Sequence, residues 1–294
     1  MMNKMKKVIV AAVAVTSAAL ASNVTAETTL NVDVFNPESN SIFPVSSSII
    51  SGTSEVLLVD AQFQRNDAEV LVKKILASGK TLKTVYISHG DPDFYFGLDV
   101  IKAAFPEVKV LATESTVSKI KKSMDGKLTY WGPILKDNAP KKLFVPEVVN
   151  TDKLMVDGTP IYIKNLQHDP SHTYLWIPSI KTVVGGVVVF DKMHVWVADT
   201  KTTSDRNTWL TTLSNIEGLK PEVVIPGHFL AGSKKDLSSI TYMKSYLTDF
   251  EKAVSQSKTS DDVVNIMTKT YPNVGAENIL SLGSKVVMGE MEWR

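Results

Sequence analysis

The sequence predicts a layered α/β fold, and three observations carry this prediction. Between residues 30 and 112, short apolar runs rich in β-branched residues alternate with amphipathic helical segments. Between residues 153 and 190, short strand-like runs return, separated by turns that contain Pro or Gly. From residue 237 to residue 254, apolar side chains recur at helical spacing, so we expect the chain to end in helices.

The first 26 residues have the pattern of a secretory signal peptide. Three Lys precede an apolar run that is too short to cross a bilayer, and Val24-Thr25-Ala26 supplies the small residues of a cleavage site. We therefore expect cleavage near Ala26 and a periplasmic or secreted protein without a stable membrane anchor.

The composition limits the chemistry that the chain can use. The chain has 32 Lys and Arg against 31 Asp and Glu, and without the three Lys of residues 1–26 the numbers are 29 and 31, a net charge of −2. This balance argues against a nucleic-acid partner. Because the chain contains no Cys, disulfides and thiolate ligands are excluded, and any metal ion must be held by His and carboxylate side chains.

The first elements follow in a regular order. Strand-like segments at 30–35, 48–50 and 55–60 precede a helix for which Asn66 is the expected N-cap and Gly79 the residue beyond the end. A strand at 84–88, a helix at 98–105 and a strand at 108–112 complete a β-α-β-α-β pattern. Asp60, at the end of its strand, is expected to tie the strand edge by hydrogen bonds.

The loop after the strand 84–88 is the first candidate site. It places His89, Asp91 and Asp93 at alternate positions, and one imidazole and two carboxylates on a short turn can converge on a cation. The alternative is a solvated turn, because Asp and Pro are common in loops for backbone reasons alone.

A Lys-rich segment follows at residues 118–142. It carries seven Lys against two Asp, and the aromatic stretch 130–135 interrupts it. Two interpretations stay open: a lid that covers substrate, or a surface helix followed by an anchoring loop.

The histidines are few, and three of them occupy similar places. The chain has five His. His89 follows the predicted strand at 84–88, and His228 follows the predicted strand at 223–225. His172 lies in the loop between two predicted strands. Scattered surface residues would not all fall at such positions.

These motifs together resemble the metallo-β-lactamase-fold hydrolase superfamily. The resemblance rests on His-x-Asp-x-Asp with a Gly four residues on, then His-Asp-Pro-Ser-His-Thr, then Val-Val-Ile-Pro-Gly-His, and it spans residues 30–232. It implies an αβ/βα four-layer sandwich with a metal site at one edge. We therefore expect a metallo-β-lactamase-like domain at 27–232 and a helical extension at 233–294 packed on the same domain.

The resemblance also exposes departures from the family's pattern. The usual first motif is His-x-His-x-Asp-His, but Asp91 stands at the second His and Phe94 at the third. Gly186 stands where an Asp that bridges two metal ions is expected. The ligand candidates that remain number five: His89, Asp91, Asp93, His172 and His228.

One metal ion is therefore expected instead of two. His89, Asp91 and His172 would hold it, with an open place for water; zinc is the expected metal, and other divalent ions remain possible. Asp93 is the catalytic candidate, free to orient or deprotonate the nucleophile, and His228 would bind the metal or the developing oxyanion.

Three further residues have weaker assignments. His168 is expected to shape its loop instead of binding metal. For His194 and Asp199, a structural hydrogen bond and a contact with substrate are both open.

Two functions from different classes follow. The first is an exported metal-dependent hydrolase that cleaves an ester, lactone, amide or thioester of a small molecule. Antibiotic hydrolysis is not favoured, since the missing ligands are ones that di-zinc lactamases use. The second is a periplasmic ligand-binding or interaction protein on a non-catalytic form of the fold. A nuclease would need a basic face, for which only the Lys-rich segment offers support. The sequence leaves the oligomeric state and the identity of the substrate undefined.

Overall fold

The computed structural model describes residues 29–293, so the expected signal peptide lies outside the described residues. The first half of the chain forms a six-stranded sheet whose strands are neighbours in chain order. They are β1 (Asn31–Phe35), β2 (Ser47–Ser51), β3 (Glu55–Val59), β4 (Thr81–Tyr86), β5 (Lys109–Ala112) and β6 (Glu147–Val148). The first three pair antiparallel, and β3 to β6 pair parallel.

The second half of the chain forms a five-stranded sheet and a short two-stranded one. The larger sheet contains β7 (Lys153–Val156), β8 (Thr159–Lys164), β9 (Tyr174–Ile177), β10 (Thr182–Val184) and β12 (Val223–Ile225). β11 (Phe190–Asp191) pairs parallel with β13 (His228–Phe229).

The helices of the described residues lie before, between and after these strands. They are α1 (Arg65–Ala77), α2 (Pro92–Tyr95), α3 (Leu98–Ala104), α4 (Glu114–Leu135), α5 (Thr203–Gly218), α6 (Ser238–Gln256), α7 (Ser260–Thr270) and α8 (Glu277–Val287). Within residues 29–293, none of them combines the length and the apolarity that crossing a membrane demands.

The two large sheets pack against each other and carry helices on their outer faces. In β3, Leu57 and Val59 join a buried cluster with Ile161 and Leu175 of the other sheet. Their neighbours along the strand point the opposite way, because side chains alternate in a strand, and join the cluster that includes Leu71 of α1. The predicted αβ/βα four-layer sandwich with C-terminal helices is confirmed.

The C-terminal helices share this core. Met243, Leu247 and Phe250 of α6 are fully buried, as is Leu280 of α8, and all four belong to the same cluster as Leu71. The proposed boundary between residues 232 and 233 stays a prediction.

Three local expectations were wrong in detail. The 130–135 stretch is not a loop but the last part of α4, which continues through Pro133 to Leu135. α1 is capped by Gln64 instead of Asn66, although Gly79 does follow its end with φ of +68°. The last of the strand-like runs expected between residues 153 and 190, at 182–190, is broken by a 3₁₀ turn at Gly186–Val188.

Candidate functional site

The loop that follows β4 is fixed at its root by Asp60. The Asp60 carboxylate accepts a hydrogen bond from the Ser88 backbone N–H at 2.8 Å, and its other oxygen lies 2.8 Å from the Ser88 hydroxyl. This is the strand-edge tie expected from the sequence. Burial raises the pKa of Asp60 to about 7, although the two hydrogen bonds from Ser88 oppose the shift.

His89 is fully buried and held in one orientation. Its Nδ1 lies 2.8 Å from the Ser171 carbonyl oxygen, which can only accept, so Nδ1 carries the proton. Nε2 therefore presents a lone pair on the opposite side of the ring. Burial and then the neighbouring Lys119 lower the pKa of His89, so the ring is neutral.

Nε2 of His89 faces two carboxylates. Ligand atoms of His89, Asp91 and Asp199 all lie within 4.8 Å of one another. The sequence placed the first two of these together, but Asp199 was expected only as a possible hydrogen-bond or substrate-contact residue. Asp199 also accepts a hydrogen bond from Trp196 Nε1 at 3.1 Å.

A lysine from α4 reaches into this cluster. Lys119 Nζ lies 3.1 Å from His89 Nε2, 3.3 Å from an Asp91 oxygen and 3.5 Å from an Asp199 oxygen. Burial favours the neutral amine, but the two carboxylates outweigh it and hold the pKa of Lys119 above its ordinary value. Sequence reasoning missed Lys119 because only the packing of α4 brings residue 119 beside residue 89.

The same charges act on Asp91. Burial favours its neutral acid, yet Lys119 and then Lys127 hold the pKa of Asp91 well below its ordinary range. Lys127 Nζ lies 3.6 Å from the Asp91 oxygen that also faces Lys119. Asp91 is therefore an ionised carboxylate between two ammonium groups.

His172 lies beside this cluster without belonging to it. Its ring stacks on His89 with centroids 5.1 Å apart, while its Nδ1 lies 2.5 Å from an Asp169 carboxylate oxygen. Burial favours the neutral acid at Asp169, but hydrogen bonds from His172 and Ser171 hold the pKa of Asp169 well below its ordinary value. Of the expected His89–Asp91–His172 ligand set, the structure brings His89 and Asp91 together with Asp199, and the role of His172 as a ligand stays a prediction.

Asp93 and His228 form a second pair at the other side of Phe94. His228 Nε2 lies 3.3 Å from an Asp93 oxygen. Burial and Asp91 raise the pKa of Asp93 to about 8, whereas burial and His89 lower that of His228 to about 4. The pair is therefore neutral at pH 7, with the proton on Asp93. The Phe94 ring packs edge-on against both His89 and His228, with its centroid 5.5 and 5.4 Å from theirs.

Gly186 explains why no carboxylate stands beside this pair. Its φ is +51°, a left-handed conformation that disfavours a side chain. A Cβ atom added there would lie 2.9 Å from the Ser88 hydroxyl and 3.1 Å from the Thr173 carbonyl oxygen. The backbone at this position is thus built without room for an Asp.

An aromatic pocket opens from the polar residues. It has a volume of about 120 Å³, and Asp91, Asp93, Lys127 and His228 line its polar end. Its apolar walls include Phe43 before β2, Trp131 of α4, Phe190 of β11, Trp196 after β11, Ile279 of α8 and Trp293 after α8.

The remaining candidates lie away from the cluster. His168 is exposed in its loop. His194 is fully buried, and its Nδ1 lies 2.9 Å from the Tyr246 hydroxyl of α6. Burial lowers the pKa of His194 although Glu277 opposes the shift, so the ring is neutral. Of the two roles left open for His194, the structure supports the hydrogen bond.

The donor set fits one divalent cation. An imidazole nitrogen and two carboxylates are ligands that zinc accepts, and a backbone carbonyl on Nδ1 is the kind of partner that aligns a metal-binding His. Two carboxylates give the group a formal charge of −2, which a divalent ion neutralises. Asp93 and His228 offer only two donors, and neither belongs to the group of three.

Comparisons with known proteins identify the family and the fold. The sequence model described as the metallo-beta-lactamase superfamily matches residues 41–228. Among solved structures, DIM-1 metallo-β-lactamase aligns with a TM-score of 0.54 and 19% identity, covering 76% of this chain and 94% of that one. A metallo-β-lactamase from Pontibacter korlensis aligns with a TM-score of 0.53 and 16% identity, covering 78% of this chain and 98% of that one.

A further structure, that of TMB-1, aligns with a TM-score of 0.52 and 20% identity, covering 76% of this chain and 98% of that one. At these identities the likeness to solved structures concerns the fold. A search among curated proteins finds no match.

Proposed function

The chain belongs to the metallo-β-lactamase superfamily, whose members are generally metal-dependent hydrolases, and from this membership we propose that it is an exported hydrolase of small molecules. The bond cleaved is an ester, lactone, amide or thioester. The observation that carries the proposal is the group formed by His89, Asp91 and Asp199, of which Asp91 lines the polar end of an aromatic pocket.

In this proposal, His89, Asp91 and Asp199 hold one divalent ion, zinc or a metal that accepts the same ligands. When bound, such an ion supplies Lewis-acid activation of water and of the substrate carbonyl group. The Ser171 carbonyl keeps the His89 tautomer in which Nε2 is the donor atom. We propose a single ion because Gly186 leaves no room for a bridging carboxylate and Phe94 supplies no donor atom beside Asp93 and His228.

Asp93 and His228 supply the proton chemistry. Together they hold one proton, at the Asp93 carboxyl, with His228 Nε2 3.3 Å away. A neutral carboxylic acid at the edge of the pocket can protonate a leaving group, and its conjugate base can orient the attacking water. Phe190 stacks on the His228 ring and Phe94 packs edge-on against it, and both rings limit the access of bulk water to His228.

The pocket selects for an apolar group next to the scissile bond. Most of its wall is aromatic, with Phe43, Trp131, Trp196 and Trp293 among the lining side chains. Because Lys127 lies at the polar end, the pocket also favours a substrate that is anionic or polar near the bond to be cleaved.

Metal content and hydrolysis measured on the same preparations test the proposal. The chain from Glu27 is purified without chelator, its metal is quantified, and it is screened against esters, lactones, thioesters and β-lactams with matched apolar and polar acyl groups. We expect about one equivalent of a divalent metal, with hydrolysis fastest for apolar acyl groups.

Two histidine variants provide the control. His89→Ala removes a donor atom of the group and is expected to abolish both metal retention and hydrolysis. His168→Ala removes an exposed ring outside the site and is expected to change neither. Hydrolysis that survives in His89→Ala or in the presence of a strong chelator would contradict the proposed site.

A ligand-binding protein is the second candidate, and Lys119 is the observation that favours it. An ammonium group already balances the cluster of His89, Asp91 and Asp199, so the aromatic pocket could serve to bind an apolar ligand without cleaving it. This candidate predicts saturable binding of an apolar anion with no turnover and no metal requirement.

Export is a separate part of the proposal. It rests on the basic, apolar and small-residue pattern of residues 1–26. Expression of the full chain in a bacterium, followed by fractionation and N-terminal sequencing, is expected to give a mature chain that begins at Glu27 in the periplasm or medium. A full-length chain in the cytoplasm would contradict it.

A further inference from the structure

The position of Lys119 has a consequence for metal binding. Its Nζ atom lies 3.1 to 3.5 Å from one donor atom each of His89, Asp91 and Asp199, and the three residues can bring one ligand atom each within 4.8 Å of the others. An atom at such similar distances from three clustered donors lies close to the axis that runs through their centre, and no more than 3.5 Å from each donor. That centre is also where a metal ion bound by the three residues would have to lie, at about 2.0–2.2 Å from each.

The lone pair on His89 Nε2 cannot bind both the Lys119 ammonium group and a metal ion. Since Nδ1–H donates to the Ser171 carbonyl, Nε2 has a single lone pair, and the Lys119 ammonium is within hydrogen-bonding distance of it at 3.1 Å. A metal ligated by His89 needs the same lone pair. The two cations are therefore alternatives at this atom.

The surrounding chain is shaped to bring Lys119 to this position. The start of α4 is tied to the loop that orients His89, because Thr113 caps the helix and donates a hydrogen bond to the Pro170 carbonyl at 2.9 Å. The lysine stem passes over Gly90, where an added Cβ would lie 2.8 Å from the stem carbons of Lys119. A larger residue at position 90 would force the stem to move.

We propose that Lys119 is a built-in cation that competes with a divalent metal ion for the place among His89, Asp91 and Asp199. The proposal rests on the metal site of the proposed function and adds a control on its occupancy. Without metal, the ammonium holds the two carboxylates together. For metal to bind, the lysine side chain has to leave, and the positive charge of Lys119 beside the ion weakens the affinity.

Lys127 does not fill the same role. Its Nζ lies 3.6 Å from Asp91 and 5.1 Å from the centre of the Trp293 ring, toward the pocket. No contact of Lys127 with His89 or Asp199 is seen among the residues that the structure describes. The competition is therefore assigned to Lys119 alone.

Calorimetric titration with zinc tests the proposal on the metal-free chain from Glu27. Lys119→Met keeps the length of the stem and removes the charge, and Lys119→Gln is a second variant that retains polar atoms. Lys122→Met is the control, since it removes one exposed charge from the same helix. We expect both Lys119 variants to bind zinc about tenfold more tightly or better than the native chain, and Lys122→Met to bind like the native chain.

Thermal unfolding provides a readout that does not depend on hydrolysis. In chelator, Lys119→Met is expected to melt below the native chain, because no cation then contacts both Asp91 and Asp199 and only Lys127 stays beside Asp91. With saturating zinc the order is expected to reverse, because the ion replaces the ammonium and no lysine opposes it.

The outcomes separate this proposal from the proposed function. Equal zinc affinity in the native chain and both Lys119 variants would overturn the competition and leave the metal site standing. Zinc binding in the Lys119 variants but not in the native chain would support the competition and contradict metal-dependent hydrolysis by the native chain. Absence of zinc binding in all of them would overturn both.

Discussion

The buried carboxyl group of Asp60 makes the stability of the folded chain depend on pH. Asp60 is 2% exposed, and its carboxyl group accepts hydrogen bonds from the backbone N–H and the hydroxyl of Ser88. In the unfolded chain the carboxyl has a pKa of about 3.9, whereas burial raises the folded value to about 7. The folded chain therefore holds a proton that the unfolded chain releases between these two values.

The sign of the effect on stability follows directly. Because the folded state binds more protons in this window, the free energy of unfolding contributed by Asp60 falls as pH rises from about 4 to about 7, by at most about 1.4 kcal/mol per pH unit. Asp60→Asn removes the titration and keeps a shape that can still pair with Ser88. Urea unfolding at pH 5, 6 and 7 is expected to show a smaller loss of stability in the variant than in the native chain. Parallel profiles would mean that Asp60 is already ionised in the folded chain at pH 5.

Helix α4 contributes both to the group of His89, Asp91 and Asp199, through Lys119, and to the aromatic pocket, through Trp131. Lys119 lies near its first turns and Trp131 near its last, on a single helix of 22 residues. Trp131 packs edge-on against Phe43 and Phe63, with ring centroids 5.2 and 5.3 Å apart. The aromatic contact anchors the end of the helix even though Pro133 cannot donate a backbone hydrogen bond there.

Trp131→Ala tests this anchor. Loss of the ring from a half-buried aromatic cluster is expected to lower the free energy of unfolding by about 2 kcal/mol and to weaken the retention of apolar ligands in the pocket. The control is Ile134→Ala on the same helix, which removes a side chain that is 47% exposed and is expected to change stability by no more than about 0.5 kcal/mol. Urea unfolding of the two variants measures both effects, and an equal loss in both would show that the aromatic contact is not the anchor.

Helix α4 also shows which parts of the fold the sequence predicts and which it does not. Strand–loop patterns placed His89, Asp91, Asp93 and His228 at one edge of the fold, because a polar loop after a buried strand is a local signal. The 130–135 stretch looked like a loop since Gly132 and Pro133 are poor helix formers, but tertiary packing of Trp131 overrides that propensity.

The parts of the site that the sequence did not place arise from long-range packing. Lys119 meets His89 across 30 positions of the chain, and Asp199 meets Lys119 across a still longer separation. No periodicity or motif encodes such contacts. The sequence therefore identifies Lys119 only as one of the seven Lys in the segment 118–142. His172 was expected as a ligand from its motif, but its ring stacks on His89 instead of joining the donor group.

At the scale of the whole molecule, one apolar core extends from the first sheet into the C-terminal helices. Leu71 of α1, Val183 of β10 and Leu247 of α6 belong to the same buried cluster. A second link is polar, since the buried Arg206 of α5 forms an ion pair with Glu251 of α6 and donates to the Thr200 carbonyl. Such continuity predicts that the helices at 233–294 unfold together with the rest of the chain.

Leu247→Ala tests this cooperativity. The side chain is fully buried, so we expect a loss of about 2–5 kcal/mol in the free energy of unfolding. Far-UV circular dichroism and tryptophan fluorescence are expected to report one shared transition, shifted to lower urea for the whole chain, because the core is common to both halves. Lys252→Ala on the exposed side of α6 is the control and is expected to leave the midpoint unchanged. Two separate transitions, with only the smaller one shifted by Leu247→Ala, would instead identify the C-terminal helices as an independent folding unit.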